Sequence, residues 1–168
     1  FGYRFFKVHS DTLWAVAENG LYNITPAGNR QWSIFNGKSP FINALSLLDA
    51  YQDDNGVFWL ATNGEGLYRW DRKANSFRQF NITSGLPSDV LYRVEPDDYD
   101  NLWISSDYGL IRFNRKTFTV NTYTTTYGIS HNDFKRPSSF TARYGMLFFV
   151  VLHGLNAFDP NNFLTDIH

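Results

Sequence analysis

The sequence contains no cysteine, carries almost no net charge and has no long apolar segment. Without cysteine there is no disulfide, no thiolate metal site and no cysteine nucleophile, and the chain suits reducing and oxidising compartments equally. A formal net charge of -1 does not indicate nucleic acid or an anionic membrane as a partner. No apolar run reaches the roughly 18 residues of a membrane-spanning helix. Since Phe1 opens the chain without a basic segment or an initiator Met, we expect any targeting or anchoring segments to lie outside it.

The motifs of common catalytic and metal centres are also missing. Neither Gly-x-Ser-x-Gly nor His-Glu-x-x-His occurs, and the four histidines are scattered along the chain. Asp97, Asp98 and Asp100 cluster like ligands of a hard cation, but they lack the glycine and the distal glutamate of a calcium loop. Because Asp is also an ordinary hairpin residue, we interpret this cluster as a turn. The sequence thus predicts no enzyme, no cofactor and no metal.

Aromatic residues, in contrast, make up 18% of the chain, and the largest of them recur at a fixed interval. Each anchor is followed seven or eight residues later by the leucine of a Gly-Leu pair, at Leu21, Leu67, Leu110 and Leu155. A period of this size indicates a repeat architecture. The four anchors, 44 or 45 residues apart, are Trp14, Trp59, Trp103 and Phe148.

Each repeat has room for four strands, because its apolar runs are short, aromatic and β-branched, and separated by Gly, Asn, Asp and Pro. We label these strands A to D in each repeat. In the third repeat the predicted strands are Val90–Val94, Leu102–Ser105, Leu110–Phe113 and Phe118–Tyr123. In the second they are Ala44–Ala50, Phe58–Ala61, Leu67–Trp70 and Phe77–Phe80, and the first repeat is expected to begin with Tyr3–Val8.

Two further patterns favour a β-propeller. The glycine before each Leu, as at Gly66 and Gly109, lies where a tight hairpin between strands B and C requires a positive φ. Strands B and C are also apolar on both alternating faces, which requires neighbours on both sides, as in blades stacked around an axis. We therefore predict an all-β chain of about four four-stranded antiparallel blades, with the Trp and Leu anchors packed between blades.

The repeat lacks the signatures of WD and kelch propellers. The segment Gly85–Asn114, "GLPSDVLYRVEPDDYDNLWISSDYGLIRFN", instead resembles the two-component regulator propeller repeat, which occurs in the extracytoplasmic sensor regions of bacterial histidine kinases, hybrid kinases and some diguanylate cyclases. "GISHNDF" at 128–134 and "GLNAFDP" at 154–160 are similar to the opening and the exit of the last blade in this family. "FLTDIH" at 163–168 resembles the first strand of the immunoglobulin-like domain that usually follows.

This resemblance implies blades at 1–40, 41–84, 85–127 and 128–160, with 161–168 as the start of a linker or immunoglobulin-like domain. Propellers of the family usually have seven blades, so we expect the chain to be the C-terminal part of a larger ring. A four-bladed ring and an eight-bladed ring of two chains are the alternatives, because radial closure protects the edges of the blades.

Antiparallel strand order sorts the loops onto two faces. The first face receives the B–C hairpins and the connections between blades, and the second face receives the A–B and C–D turns, including the basic turns Arg72–Lys73 and Arg115–Lys116, which we expect to be solvated. A binding site on a repeated scaffold must come from residues that are not repeated. The candidates for a polar ligand, all on the first face, are Tyr108, His153, His131, Asn132, Glu65 and Tyr127.

Two functions remain open. The resemblance implies a periplasmic ligand-sensing part of an inner-membrane sensor protein, which recognises a nutrient such as an oligosaccharide. It also implies that the blades pack with the remaining blades of a parent propeller and that the parent protein is a homodimer. The membrane would be contacted only through segments absent here. The alternative is a non-catalytic propeller scaffold that binds a partner protein or mediates dimerisation. An exposed aromatic rim would favour the scaffold, whereas a deep polar funnel would favour the sensor.

Overall fold

The computed structural model describes residues 4–7, 13–17, 20–24, 46–124, 139–141, 146–151 and 154–160. In these ranges the chain forms four antiparallel sheets that follow one another in sequence, and it contains no α-helix. One sheet falls in each predicted blade range, and we number the sheets as blades 1 to 4. The predicted all-β class is confirmed. The predicted linker at 161–168 lies outside the described residues.

Blades 2 and 3 are complete four-stranded sheets in which each strand pairs with the next along the chain. Blade 2 consists of β4 (Leu47–Gln52), β5 (Val57–Thr62), β6 (Leu67–Asp71) and β7 (Ser76–Phe80). Blade 3 consists of β8 (Leu91–Pro96), β9 (Asn101–Ser106), β10 (Leu110–Asn114) and β11 (Val120–Tyr123). A short 3₁₀ helix at Ile82–Ser84 lies in the connection between them.

Blades 1 and 4 show three paired strands each within the described ranges. Blade 1 consists of β1 (Arg4–Lys7), β2 (Leu13–Ala17) and β3 (Gly20–Ile24). Blade 4 consists of β12 (Ser139–Thr141), β13 (Leu147–Val151) and β14 (Gly154–Phe158). Strand β1 falls inside the predicted Tyr3–Val8 strand and pairs with β2.

Each predicted strand of blades 2 and 3 overlaps an observed one, and the largest shift is at the first strand of blade 2, predicted at Ala44–Ala50 and found at Leu47–Gln52. A second error lies at the last strand of blade 3. Phe118 was expected to begin that strand, but it has a φ of +61° and closes the turn through a hydrogen bond from its N–H to the Asn114 carbonyl at 2.9 Å. A left-handed residue cannot begin a β-ladder, so pairing starts only at Val120. An aromatic residue in a turn gives no sequence signal of this conformation.

Successive side chains of β5 point alternately to the two neighbouring blades. Phe58 and Leu60 belong to an apolar cluster with Trp14 and Val16 of blade 1, and the rings of Trp14 and Phe58 meet edge to face at 4.8 Å. The intervening Trp59 faces blade 3, where its ring lies 5.6 Å from that of Phe113. Both faces of β5 are therefore buried between blades, as predicted for the anchor tryptophans.

In blades 2 and 3, a carboxylate in the A–B turn fixes the anchor tryptophan of the same blade. The indole Nε1–H of Trp103 donates to Oδ2 of Asp97 at 2.8 Å, and that of Trp59 donates to Oδ2 of Asp53 at 3.3 Å. The other oxygen of each carboxylate accepts two backbone N–H groups of its own turn. The indoles of Trp59 and Trp103 thus have their polar atoms satisfied at the edge of the blade.

Candidate functional site

Between blades 2 and 3, the first face is a hydrogen-bonded rim. The carbonyl of Asp89, in the connection between blades 2 and 3, accepts the N–H groups of Gly64 at 3.0 Å and Gly66 at 2.9 Å. The neighbouring Ser88 hydroxyl donates to the Asp107 carboxylate in the next B–C hairpin. The B–C hairpins of blades 2 and 3 and the connection between the two blades therefore lie on one face, as antiparallel strand order predicts.

Two predicted site residues occupy equivalent positions on this rim. Glu65 is exposed in the hairpin of blade 2, where Gln79 Nε2 donates to its carbonyl at 2.9 Å. Tyr108 is 58% exposed in the hairpin of blade 3, and its backbone N–H donates to Ser106 Oγ at 3.2 Å. The structure places both side chains in solvent and gives no contact between them.

The other four predicted site residues lie outside the described residues. They are Tyr127, His131, Asn132 and His153. For the last of them, the flanking residues Val151 and Gly154 pair in the β13–β14 hairpin, which is the B–C hairpin expected for blade 4. The first-face pocket as a whole stays a prediction.

A cleft that the sequence did not predict opens on the second face, between blades 2 and 3. It has a volume of about 360 Å³ and combines four cationic with three acidic side chains. The charged residues are Asp53, Arg69, Asp71 and Lys73 of blade 2 and Asp100, Arg115 and Lys116 of blade 3.

Arg115 corrects the expectation that the basic turns are simply solvated. Its side chain is only 17% exposed, and its guanidinium Nη1 donates to the Tyr51 hydroxyl of blade 2 at 3.3 Å while covering the Tyr51 ring. Lys116, which is 74% exposed, behaves as expected. The difference arises because Arg115 reaches back over the preceding blade, a contact that exists only once the blades are packed.

The blade 3 wall of the cleft is an ion cluster centred on Asp100. Lys116 Nζ lies 2.6 Å from Oδ2 of Asp100, and Arg115 Nη2 lies 3.6 Å from Oδ1. The hydrogen bond from Lys116, together with the charges of Lys116 and Arg115, holds the pKa of the Asp100 carboxyl below its ordinary value. Burial raises the pKa of the nearby Tyr51 hydroxyl, an effect that the Arg115 charge opposes.

The acidic turn that resembled a cation site is used by the protein itself. Asp97 accepts hydrogen bonds from the N–H groups of Tyr99 and Asn101, from the Asn101 amide and from the Trp103 indole. Asp100 faces Lys116 and Arg115 instead of Asp97. Within the described ranges, no three acidic or histidine side chains gather as a metal site would require.

The sheets and their packing define a chain of β-propeller blades, and comparisons with known proteins show what this chain is similar to. No protein-family model matches the sequence. The chain is 28% identical over 124 residues to the histidine kinase P4 of Formosa agariphila, and this match covers 73% of the chain and 9% of the kinase. The structure is similar to the extracellular domain of BT3049 from B. thetaiotaomicron, which is assigned to the hybrid two-component systems. The two structures superpose with a TM-score of 0.64 and 16% identity, over 97% of this chain and 28% of that domain.

The same fold occurs in an enzyme. Virginiamycin B lyase from Staphylococcus aureus superposes with a TM-score of 0.65 and 13% identity, over 92% of this chain and 54% of the lyase. At such identities a structural match shows the fold alone. The sequence match to a histidine kinase and the fold shared with extracellular two-component domains together confirm the predicted resemblance to two-component sensor propellers. In the described residues, no helix has the length and apolar character needed to cross a bilayer.

Proposed function

We propose that this chain is part of the extracytoplasmic ligand-sensing region of a bacterial two-component sensor protein. The observation that carries the proposal is the 28% identity over 124 residues to a histidine kinase. The fold shared with the extracellular domain of BT3049 supports it. Because the chain spans 9% of that kinase and 28% of that domain, the remaining blades and the output domain would come from the rest of a longer protein.

In such a protein the blades would be periplasmic and anchored to the inner membrane by other segments. The cores between blades are tightly packed, so they suit a stiff frame better than a moving part. A ligand would then act by shifting how two copies of the sensor sit together, and the shift would reach the output domain through the following segments. This mechanism requires a homodimer of the parent protein.

The proposed ligand is a polar nutrient such as an oligosaccharide, bound at the first face. Tyr108 offers an exposed ring on which a sugar can stack, and Glu65 offers a carboxylate acceptor on the neighbouring hairpin. We place Tyr127, His131, Asn132 and His153 at the same site from the sequence pattern. The region is proposed to be non-catalytic, since the similarity to the lyase is one of fold alone and no catalytic motif occurs in the sequence.

A second candidate function is a scaffold that binds a partner protein. It is favoured by two large exposed apolar side chains on the first face, Ile82 at 57% and Tyr108 at 58%. Exposed apolar surface of this kind is typical of protein contacts when it forms a contiguous patch. The two functions differ in what they bind, so one experiment separates them.

The experiment is isothermal titration calorimetry with a panel of neutral and acidic oligosaccharides. Tyr108→Ala combined with His153→Ala should abolish sugar binding and leave the melting temperature nearly unchanged. Tyr99→Ala, which removes a comparably exposed tyrosine from the second face, is the matched control and should bind as the wild type does. Unchanged affinity in the double variant would rule out the first-face site, and no binding to any sugar would favour the scaffold.

A further inference from the structure

The second-face cleft between blades 2 and 3 has cations on both of its walls. Arg69 and Lys73 project from blade 2, and Arg115 and Lys116 project from blade 3. Lys73 is exposed. Arg69 lines the cleft, lies over the Trp59 ring at 6.0 Å and is 3.9 Å from Asp71, so its charge is held in place.

The hydrogen-bonding capacity of Arg115 is largely unused. A guanidinium carries five N–H donors, and among the described residues only the Tyr51 hydroxyl lies within hydrogen-bond distance of this one. Its buried Nε has no partner among the described residues, and its Nη2 is 3.6 Å from Asp100, beyond hydrogen-bond distance. The Arg115 guanidinium, held against Tyr51 and only 17% exposed, thus keeps donors at the cleft that no described residue accepts at hydrogen-bond distance.

Asp100 occupies a turn position that varies between the repeats, with Asp11 in the first, Gly56 in the second and Gly145 in the fourth. Its φ is +63°, and the equivalent residue of blade 2 is Gly56, with a φ of +82°. Asp tolerates this left-handed region less well than Gly, so the turn itself does not require a carboxylate. The carboxylate instead lies against Lys116 and Arg115, which line the cleft with it.

We infer that the second-face cleft is a binding site for a small dicarboxylate. One carboxylate of the ligand would be held by Arg115 and Lys116, and the other by Arg69 and Lys73. Asp100 would hold the place of the ligand carboxylate in the empty site and be displaced on binding. This site is separate from the first-face sugar site.

The chemistry and the size of the cleft favour this class of ligand. Arginine pairs with carboxylates through parallel N–H···O bonds, and the protein's own Asp100 shows that a carboxylate fits against this pair of cations. A volume of about 360 Å³ is at the small end of ligand pockets. Because the two cationic pairs belong to different blades, a ligand with a charge at each end would bridge them.

The test is an NMR titration of the full chain with succinate, with succinamide as the neutral counterpart of nearly the same shape. Succinate should shift the backbone amide signals of residues 100 and 115 and the Nε–H signal of Arg115, and succinamide should leave them in place. Asp100→Asn and Asp100→Gly both accept the left-handed backbone and remove the competing charge. Each should bind succinate about two- to five-fold more tightly, which corresponds to the loss of one surface ion pair.

The cationic residues provide the complementary variants. Arg115→Ala should weaken succinate binding at least about ten-fold, the usual effect of removing a hydrogen bond to a charged group. If that variant does not fold, Lys116→Ala and Lys73→Ala, which change exposed side chains, should each weaken binding about two- to five-fold. Arg72→Ala is the matched control, because Arg72 is the counterpart of Arg115 in blade 2 but lies over Trp14, outside the cleft.

Two results would overturn the inference: no succinate-dependent shift in the wild type or in either Asp100 variant, or equal binding of succinate and succinamide. Either result leaves the sugar site untouched, since Tyr108 and Glu65 lie on the opposite face. Conversely, loss of sugar binding in the Tyr108 and His153 double variant would not alter the succinate titration.

Discussion

The buried carboxylate of Asp49 in blade 2 accepts a hydrogen bond from the backbone N–H of Val94 in blade 3, at 2.9 Å. Its other oxygen accepts the N–H of Ala50 at 2.9 Å and lies 4.0 Å from the Arg93 guanidinium. Both β4 and β8 carry an irregularity of pairing at these equivalent positions, 49 and 93. One carboxylate thus links the first strands of two blades.

Removing this carboxylate should loosen the contact between blades 2 and 3. Asp49→Ala leaves two buried N–H groups without their acceptor, which costs about 1–3 kcal/mol in the free energy of unfolding. Asp49→Asn keeps a carbonyl acceptor and should lose less. Urea unfolding of the three proteins measures the difference, and equal stability of Asp49→Ala and the wild type would contradict the assigned role.

The two turn carboxylates should differ in their contribution to stability. Asp97 accepts four hydrogen bonds of 2.8–2.9 Å, whereas Asp53 accepts three of 3.0–3.3 Å. Each alanine variant should lose about 1–3 kcal/mol, with Asp97→Ala at the upper end because it leaves more donors unsatisfied. The measurement is urea unfolding, together with the NMR signal of the Trp103 indole N–H. A larger loss in Asp53→Ala would show that these bonds do not set the stability of the turns.

Alanine variants at two glycines of one hairpin should distinguish the cost of backbone strain from the cost of a steric clash. Gly64 and Gly66 both have positive φ, +110° and +78°, so alanine strains the backbone at either position. A Cβ at Gly64 would meet nothing within 4 Å, whereas a Cβ at Gly66 would lie 2.2 Å from the Phe80 carbonyl oxygen. Gly64→Ala should cost about 1–3 kcal/mol and Gly66→Ala clearly more, measured by thermal unfolding. Equal costs would mean that the hairpin moves away from β7 freely.

Alkaline pH should destabilise the chain partly through Tyr68. Burial, and secondarily the charge of Glu65, raises the pKa of this hydroxyl above its ordinary value of 10.0. Because the folded state then holds the proton more tightly than the unfolded state, the stability is present below pH 10 and is lost as the pH rises through the higher folded pKa.

The matched variants are Tyr68→Phe and Glu65→Gln. Between about pH 8 and about pH 11, Tyr68→Phe should lose less unfolding free energy than the wild type, because one raised phenol no longer ionises. The loss of unfolding free energy in Glu65→Gln should lie between those of Tyr68→Phe and the wild type, since this variant removes only the smaller cause of the raised pKa. Identical pH profiles of Tyr68→Phe and the wild type, determined by denaturant unfolding, would show that Tyr68 ionises equally well in both states.

Only some of the candidate sites could be predicted from the sequence. The first-face position of Glu65 and Tyr108 followed from strand order, which is a local property of consecutive hairpins. The second-face cleft was missed because Arg115 looked like any exposed turn residue until blade 2 packed beneath it. Asp100 gave no distinctive signal, because the same position is Gly56 in the second repeat but Asp11 in the first.

The sequence by itself determined the blades of this protein. Trp59 and Trp103 at equal spacing, glycines at the hairpins and alternating apolar strands are all short-range patterns, so each hairpin can be predicted from its own residues. Only the tertiary structure decided which side chains meet across blades, such as Asp49 with Val94 and Arg115 with Tyr51. Those partners are 45 and 64 residues apart in the chain, and their contact depends on the angle and distance between sheets, which no local pattern encodes.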